Sequence, residues 1–326
     1  MNMKIAVTGG AGFIGSNLVR RLLDNGHDVV IIDDFSRGTI LNLKDLQIQT
    51  EVRRLDLRNF SAAVQGLRGA ETVYHLAARV GGISYLHGSE QRELEALQSN
   101  LAIDANVFRA CIQLGVPRLV YGSSVAVYPV EMQNRDGVVL DESALTRHNP
   151  EGGYGWAKLL GEMQLSWIGG MKIGIARLFN IYGENSEAGA SAHVVTSLIR
   201  KAVRYPAEGY TVWGDSTKTR DFLYVGDCVS ALVKLQESLE QRPLIVNVGS
   251  DESVSIKVLA EKIAAISGKP IKIIYDQSRP SGPRSRTCNN QYARELLDWT
   301  PQVSFDEGLQ QTYRWAEKRL ESTGEC

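Results

Sequence analysis

KIAVTGGAGFIGSNLVRRLLDNGHDVVIID, residues 4–33, decides how the rest of the chain is read. Residues 4–8 form an apolar run, 13–25 carry apolar side chains at helical spacing, and 28–33 (DVVIID) are a second apolar run. Strand, helix and strand in such close succession predict a βαβ unit of a buried parallel sheet. Between the first strand and the helix stands Thr8-Gly9-Gly10-Ala11-Gly12-Phe13-Ile14-Gly15. Gly10, Gly12 and Gly15 fit GxGxxG, and Gly9, Gly12 and Gly15 fit GxxGxxG. In this context glycines allow a tight turn and let a pyrophosphate reach the helix N-terminus, which Phe13 and Ile14 open. Asp33 ends the second strand, followed by Asp34. A carboxylate there can accept hydrogen bonds from both hydroxyls of an adenosine ribose and repels a 2′-phosphate. The pattern predicts a dinucleotide site that prefers NAD to NADP, with Arg37 as the neighbour that could instead accommodate that phosphate.

Outward from this unit the alternation continues. Apolar runs at 71–77, 119–123 and 173–178 are separated by helical patterns, so the expected fold is α/β, a Rossmann-like doubly wound parallel sheet. After about residue 190 the pattern changes to a helix at 192–203, short strands at 210–213 and 221–225, and further helices. No linker separates the two parts. The expected organisation is 1–185 as the dinucleotide-binding domain and 186–326 as mainly a smaller α/β lobe, with the chain crossing between them.

Composition narrows the function classes. Lys plus Arg is 36 against Asp plus Glu 37, a net charge of −1, which gives no electrostatic reason to expect nucleic acid or a membrane surface. No apolar run reaches transmembrane length, and MNMKIAVTGG lacks the features of a signal peptide, so a cytoplasmic location is expected. Cys111, Cys228, Cys288 and Cys326 are scattered without metal or disulfide spacing; no metal site is expected.

A second constellation is Tyr154-Gly155-Trp156-Ala157-Lys158. Residues four apart share a helix face, so a lysine cation beside the phenol is expected to favour the phenolate and give an acid/base group usable near neutral pH. Ser123-Ser124 ends an apolar strand, the place where parallel sheets present chemistry. Tyr210, Trp156 and Trp299 read as packing residues.

Together these features resemble the extended short-chain dehydrogenase/reductase family, the sugar-nucleotide epimerases and dehydratases. The likeness rests on residues 8–15, Asp33, Asp56-Leu57, His75-Leu76-Ala77-Ala78, the 123–128 segment SSVAVY, YGWAK at 154–158, RLFNIYG at 177–183 and TRDF at 219–222, and covers nearly the whole chain. The resemblance implies Ser124, Tyr154 and Lys158 as a catalytic triad and NAD as cofactor, with Asp56 and Leu57 flanking the adenine and Leu76, Ala77 and Ala78 lining the cofactor site. It implies a nucleoside-diphosphate sugar held by Asn180 and Arg220, a 4-keto intermediate and a homodimer.

An acidic residue stands two after the triad serine or threonine in dehydratases and decarboxylating members; here that position is Ala126, which disfavours those reactions. Ala77-Ala78-Arg79-Val80-Gly81-Gly82-Ile83, the segment at 247–252 and the tail at 278–284 look like GDP-fucose synthases and GDP-mannose 3,5-epimerases. Those epimerases use a cysteine with a histidine or lysine as proton carriers. His193, followed by Val194, falls on the second position, whereas the cysteine position falls on Ala126. Gly81, Gly82, His193, Val194, Trp213 and Arg284 are therefore expected near the substrate, Trp213 stacking on a base and Arg284 clamping the diphosphate, with Arg286 as the neighbouring arginine. The expected reaction is epimerisation at C4. Epimerisation at C3 or C5 of a GDP-sugar and reduction of a 4-keto sugar are the alternatives, and a non-catalytic NAD-binding protein is disfavoured by the intact triad.

Overall fold

The computed structural model describes residues 2–44, 46, 50–81, 89–145, 148–187, 192–279 and 282–323. Seven strands make the central sheet: β1 (Lys4–Thr8), β2 (Asp28–Asp33), β3 (Glu51–Arg54), β4 (Thr72–His75), β5 (Arg118–Ser124), β6 (Lys172–Leu178) and β7 (Leu244–Val248). All pairings are parallel, in the order β7-β6-β5-β4-β1-β2-β3. The chain therefore runs outward from β1 through β3, then returns and runs the other way from β4. The crevice at that reversal, beyond the carboxyl ends of β1 and β4, is where such sheets bind ligands.

Period-two alternation sorts the sheet's side chains onto two faces. Ile5 and Val7 enter a core with Leu18, Val19 and Leu22 of the helix Phe13–Asp24 and Val229, Leu232 and Leu235 of the helix Val225–Glu237. Ala6, Val30 and Val73 enter the opposite core with Val107 and Phe108 of the helix Glu90–Leu114 and Leu165 of the helix Gly152–Ser166. Buried on both faces, the strands inside the sheet read as continuous apolar runs, which is why the expected α/β architecture is the observed one; the edge strand β3 (EVRR) departs from this.

Beyond the sheet, a third core joins Val195, Leu198 and Ile199 of the helix Val194–Arg204, Leu259 and Ile263 of the helix Ile256–Ile266, and Leu309 and Tyr313 of the helix Phe305–Thr323. The chain crosses between the two parts: β7 and the helix before it follow residue 185 yet belong to the sheet. In the other direction, the strand Val139–Leu140 pairs with Ser285–Cys288. The strand read at 221–225 is instead two short ones, Thr219–Arg220 and Leu223–Tyr224, with Val225 opening a helix. No helix among the described residues is long and apolar enough to cross a membrane.

Candidate active site

The glycine loop leaves β1 at Thr8. Gly9 has φ +71°, and a Cβ on it would lie 2.8 Å from the Ala77 amide nitrogen. A Cβ on Gly15 would lie 2.1 Å from the Gly9 carbonyl oxygen. The turn thus closes on itself with no room for a side chain at either position. Gly12 caps the helix Phe13–Asp24 without any side-chain hydrogen bond, so the first-turn amides keep their donors for a ligand in the cleft. Asp33 is buried at the end of β2; its Oδ2 accepts from the Ala11 amide at 3.0 Å and its Oδ1 from the Phe35 amide at 2.9 Å. Burial raises its pKa, and those two amides oppose the rise. Each carboxylate oxygen retains a lone pair for a ribose hydroxyl. Asp34, Asp56, Leu57, Leu76, Ala77, Ala78 and Gly81 line the same cleft of about 1380 Å³, together with the loop itself. Asp56 also pairs with Arg58 at 2.7 Å, which holds its carboxyl below the usual range. Gly82 lies outside the described residues.

The cleft continues to the carboxyl end of β5. The helix Gly152–Ser166 docks here through Gly155, whose Cβ would lie 2.5 Å from the Ala126 carbonyl oxygen, and through the Glu151 amide, which donates to that oxygen at 2.9 Å. This close approach sets Tyr154 against Ser124, whose hydroxyl also accepts from the Ala126 amide at 3.2 Å. Burial pushes the Tyr154 phenol up to about 12, and the hydrogen bond with Ser124 works against it. The expected lowering of this phenol's pKa by the neighbouring lysine cation is not what the structure shows, because burial is the larger influence and acts the other way. Lys158 is buried, its Nζ lies 4.4 Å from the centre of the Tyr121 ring, and burial lowers its own pKa while Asp104 and Glu162 oppose that.

The outer part of the cleft is made by the second core's elements. Asn180, at φ +32°, donates from Nδ2 to the Asp221 carbonyl at 2.8 Å. Arg220 is buried, its pKa lowered to about 10 by desolvation, and one N–H donates to the Thr219 carbonyl at 2.6 Å. Both line the cleft, as do Val194 and His193, the residue before the helix Val194–Arg204. The surrounding protein and the Arg37 charge hold the His193 imidazole below its ordinary pKa. Trp213 is half exposed in the cleft, with Lys201 and Arg279 over its ring at 5.4 and 5.2 Å.

Arg284 is not among the residues lining the cleft. It pairs with Asp136 at 2.5 Å and Asp215 at 3.1 Å. Of these two arginines it is Arg286, two residues on, that lines the cleft, bonded to Gln133 at 2.6 Å and paired with Glu151. Tyr210 and Trp299 are buried, as their reading as packing residues requires, whereas Trp156 is 38% exposed. Motif reading missed Asp104 and Glu162 and gave Arg177 no role of its own; all three are buried behind the triad. A signal existed for Asp104: it interrupts the buried stripe Ala96, Asn100, Val107 and Cys111 on its helix.

The NAD dependent epimerase/dehydratase family model matches residues 5–249. The chain is 31% identical to the GDP-mannose 3,5-epimerase of Arabidopsis thaliana over 98% of its own length and 84% of that relative. The crystal structure of the Thermotoga maritima UDP-glucose 4-epimerase with UDP-glucose superposes with a TM-score of 0.87 at 27% identity, covering 98% of this chain and all of that one. The Thermus thermophilus UDP-glucose 4-epimerase, in complex with NAD, gives 0.82 at 26% identity over 96% of this chain and 98% of that one. A glycine turn that only a bare backbone can make, uncapped helix amides and the carboxylate at the end of β2 fit the NAD that the Thermus thermophilus structure carries. The chain belongs to the NAD-dependent epimerase/dehydratase family of enzymes acting on sugar nucleotides, with NAD as its cofactor.

Proposed function

We propose that the protein epimerises a nucleoside-diphosphate sugar at C4 through a 4-keto intermediate. The observation that carries this reading is the convergence of Ser124, Tyr154 and Lys158 in one cleft with the glycine loop, with Ala126 lining the wall beside them. NAD, when bound, supplies reversible hydride acceptance from the sugar. Tyr154 takes the proton of the reacting hydroxyl as base and returns it as acid. Ser124 hydrogen-bonds the same oxygen and keeps the phenol oriented. Lys158 supplies the positive charge behind Tyr154 that burial alone withholds. Asn180, Arg220 and Arg286 hold the sugar-nucleotide, and Trp213 offers a face for its base.

Inverting a carbon beside the ketone needs a base on one ring face and an acid on the other. His193 could supply one; a methyl group at Ala126 cannot supply the other. Inversion at C4 needs neither, because the keto sugar need only turn over before hydride returns. Turnover in heavy water separates the two. The C4 reading expects product with no carbon-bound deuterium. Deuterium at C3 or C5, abolished by His193→Ala, would overturn it and support the reading suggested by the GDP-mannose 3,5-epimerase relatives. In that case His193, whose imidazole pKa is lowered by its surroundings and the Arg37 charge, is one proton carrier.

A further inference from the structure

Behind Lys158 lies a buried polar cluster that the mechanism above does not use. Asp104, on the helix Glu90–Leu114, is 1% exposed. Its Oδ2 accepts from the Tyr121 hydroxyl at 2.6 Å, and its Oδ1 is 3.0 Å from His75 Nε2. The protons on His75 follow from its other neighbour. Thr8 Oγ1 accepts from the Leu76 and Ala77 amides, each at 3.2 Å, so its own proton goes to His75 Nδ1, 2.7 Å away. Nδ1 is then an acceptor, and the hydrogen on Nε2 points at Asp104. Both donors to Asp104 are neutral, and neither cancels its charge.

Charge bookkeeping then isolates one pair. The groups set against Lys158 are Glu162 on its own helix, where Tyr154 stands one turn earlier, Asp104 from the helix Glu90–Leu114, Tyr121 from β5 and His75 from β4. Glu162 is already matched: Arg177 of β6 donates to both its oxygens, at 2.8 Å from Nη2 and 3.1 Å from Nε, and Ser123 donates at 2.5 Å. Asp104 and Lys158 are left to balance each other, with the Tyr121 ring touching both. The helix carrying Lys158 comes this close because residue 161 is glycine. A Cβ there would stand 2.4 Å from the Tyr121 hydroxyl oxygen and 2.9 Å from Asp104 Oδ2.

We propose that Asp104 is a positioning residue for Lys158: its buried carboxylate, with Tyr121 wedged alongside, keeps the lysine an ammonium and fixes its place behind Tyr154. This rests on the roles given to Tyr154 and Lys158 above. Asp104→Asn is the test, because the amide oxygen still accepts from His75 and the amide N–H still donates to the Tyr121 oxygen. Removing the negative charge destabilises the Lys158 ammonium and relieves the Tyr154 phenolate, so both groups titrate at lower pH. Both limbs of the pH–turnover profile are expected to move acidward by about one pH unit. Thermal stability without substrate gives a second readout. Lys158 is depressed in the folded state and falls further in the variant, so the unfolded chain takes up more protons and stability recovers as pH rises toward the ordinary lysine range. The midpoint deficit of Asp104→Asn relative to the parent should therefore narrow between pH 7 and 10.

Asp104→Ser, smaller and also uncharged, should repeat both results if the asparagine variant does not fold. Tyr121→Phe keeps the carboxylate and the ring and should leave both limbs in place. Limbs unshifted in an uncharged variant with a deficit independent of pH, or an equal acid shift in Tyr121→Phe, would overturn the proposal. Near-normal turnover of Tyr154→Phe would instead sink the underlying assignment, so the two failures are distinguishable.

Discussion

At the scale of single residues, the proposed chemistry is concentrated in one phenol. Burial holds Tyr154 up at about 12, so a neutral-pH base must be made by what lies around it. Tyr154→Phe keeps the ring and the packing and removes the only proton acceptor proposed for the sugar hydroxyl. Turnover should fall roughly 100-fold or more while the thermal midpoint stays near that of the parent. Steady-state kinetics and a melting curve on the same preparation check both halves. Asp221 makes the contrasting structural case. Fully buried, it accepts from the Ser250 amide at 2.6 Å, the Asp251 amide at 2.9 Å and the Cys288 amide at 3.1 Å, tying three segments under Asn180 and Arg220. Asp221→Ala strands those donors and should cost about 3 kcal/mol of stability by denaturant unfolding, the scale of unsatisfied buried polar groups. A loss near zero would mean water replaces the carboxylate.

At the scale of elements, the glycine loop makes the sharpest prediction. In Gly15→Ala the new methyl would sit 2.1 Å from the Gly9 carbonyl oxygen and 2.8 Å from Gly10 Cα, both backbone, so the turn itself must move. NAD affinity should drop sharply in equilibrium binding, and stability should fall by about 1–3 kcal/mol. Gly169→Ala, with nothing within 4 Å of its Cβ, should change neither measurably. This loop was legible in the sequence because its constraint is local: strand, turn and helix are consecutive. So were β1, β2, β5 and β6, as apolar runs of strand length. β7 was not, because its place is set by parallel pairing with β6, some seventy residues upstream, and nothing within Leu244–Val248 announces a sheet edge. The partners of Asp104 were hidden for the same reason, although its place in a buried stripe was readable. An acidic residue on a long helix reads as solvated until the neighbouring strands deliver His75 and Tyr121 to it. Arg284 and Arg286 are two apart on an extended segment, so periodicity cannot separate them. How far the strand Ser285–Cys288 inserts decides that Arg286 reaches the cleft and Arg284 stops at Asp136 and Asp215.

At the scale of the whole molecule, the cofactor end of the cleft is closed by contacts between segments far apart in the chain. Asn17 donates to the Glu184 carbonyl at 3.0 Å, Asn185 to the Ser16 hydroxyl at 3.2 Å, and Arg319 of the C-terminal helix to Asn42 at 3.1 Å. Arg37, the residue that could accommodate a 2′-phosphate, pairs with Glu187 across the same seam. On the C4 reading proposed above the cofactor is regenerated within each turnover, so slow exchange of NAD costs nothing, and these contacts are the ones expected to slow it. Purified protein, denatured, should therefore release NAD in near-stoichiometric amount, read by chromatography of the supernatant. The preference itself should follow Asp33 rather than Arg37. With its cofactor removed, the protein should gain thermal stability from added NAD, by about 2.7 kcal/mol at a hundredfold excess over the dissociation constant, and far less from NADP at equal concentration. Asp33→Ser removes the charge that repels the phosphate and should narrow that difference, whereas Arg37→Ala should leave NAD ahead. A wild-type protein stabilised equally by both nucleotides would show that the carboxylate at the end of β2 does not meet the ribose, and the orientation of the dinucleotide across the sheet would have to be redrawn.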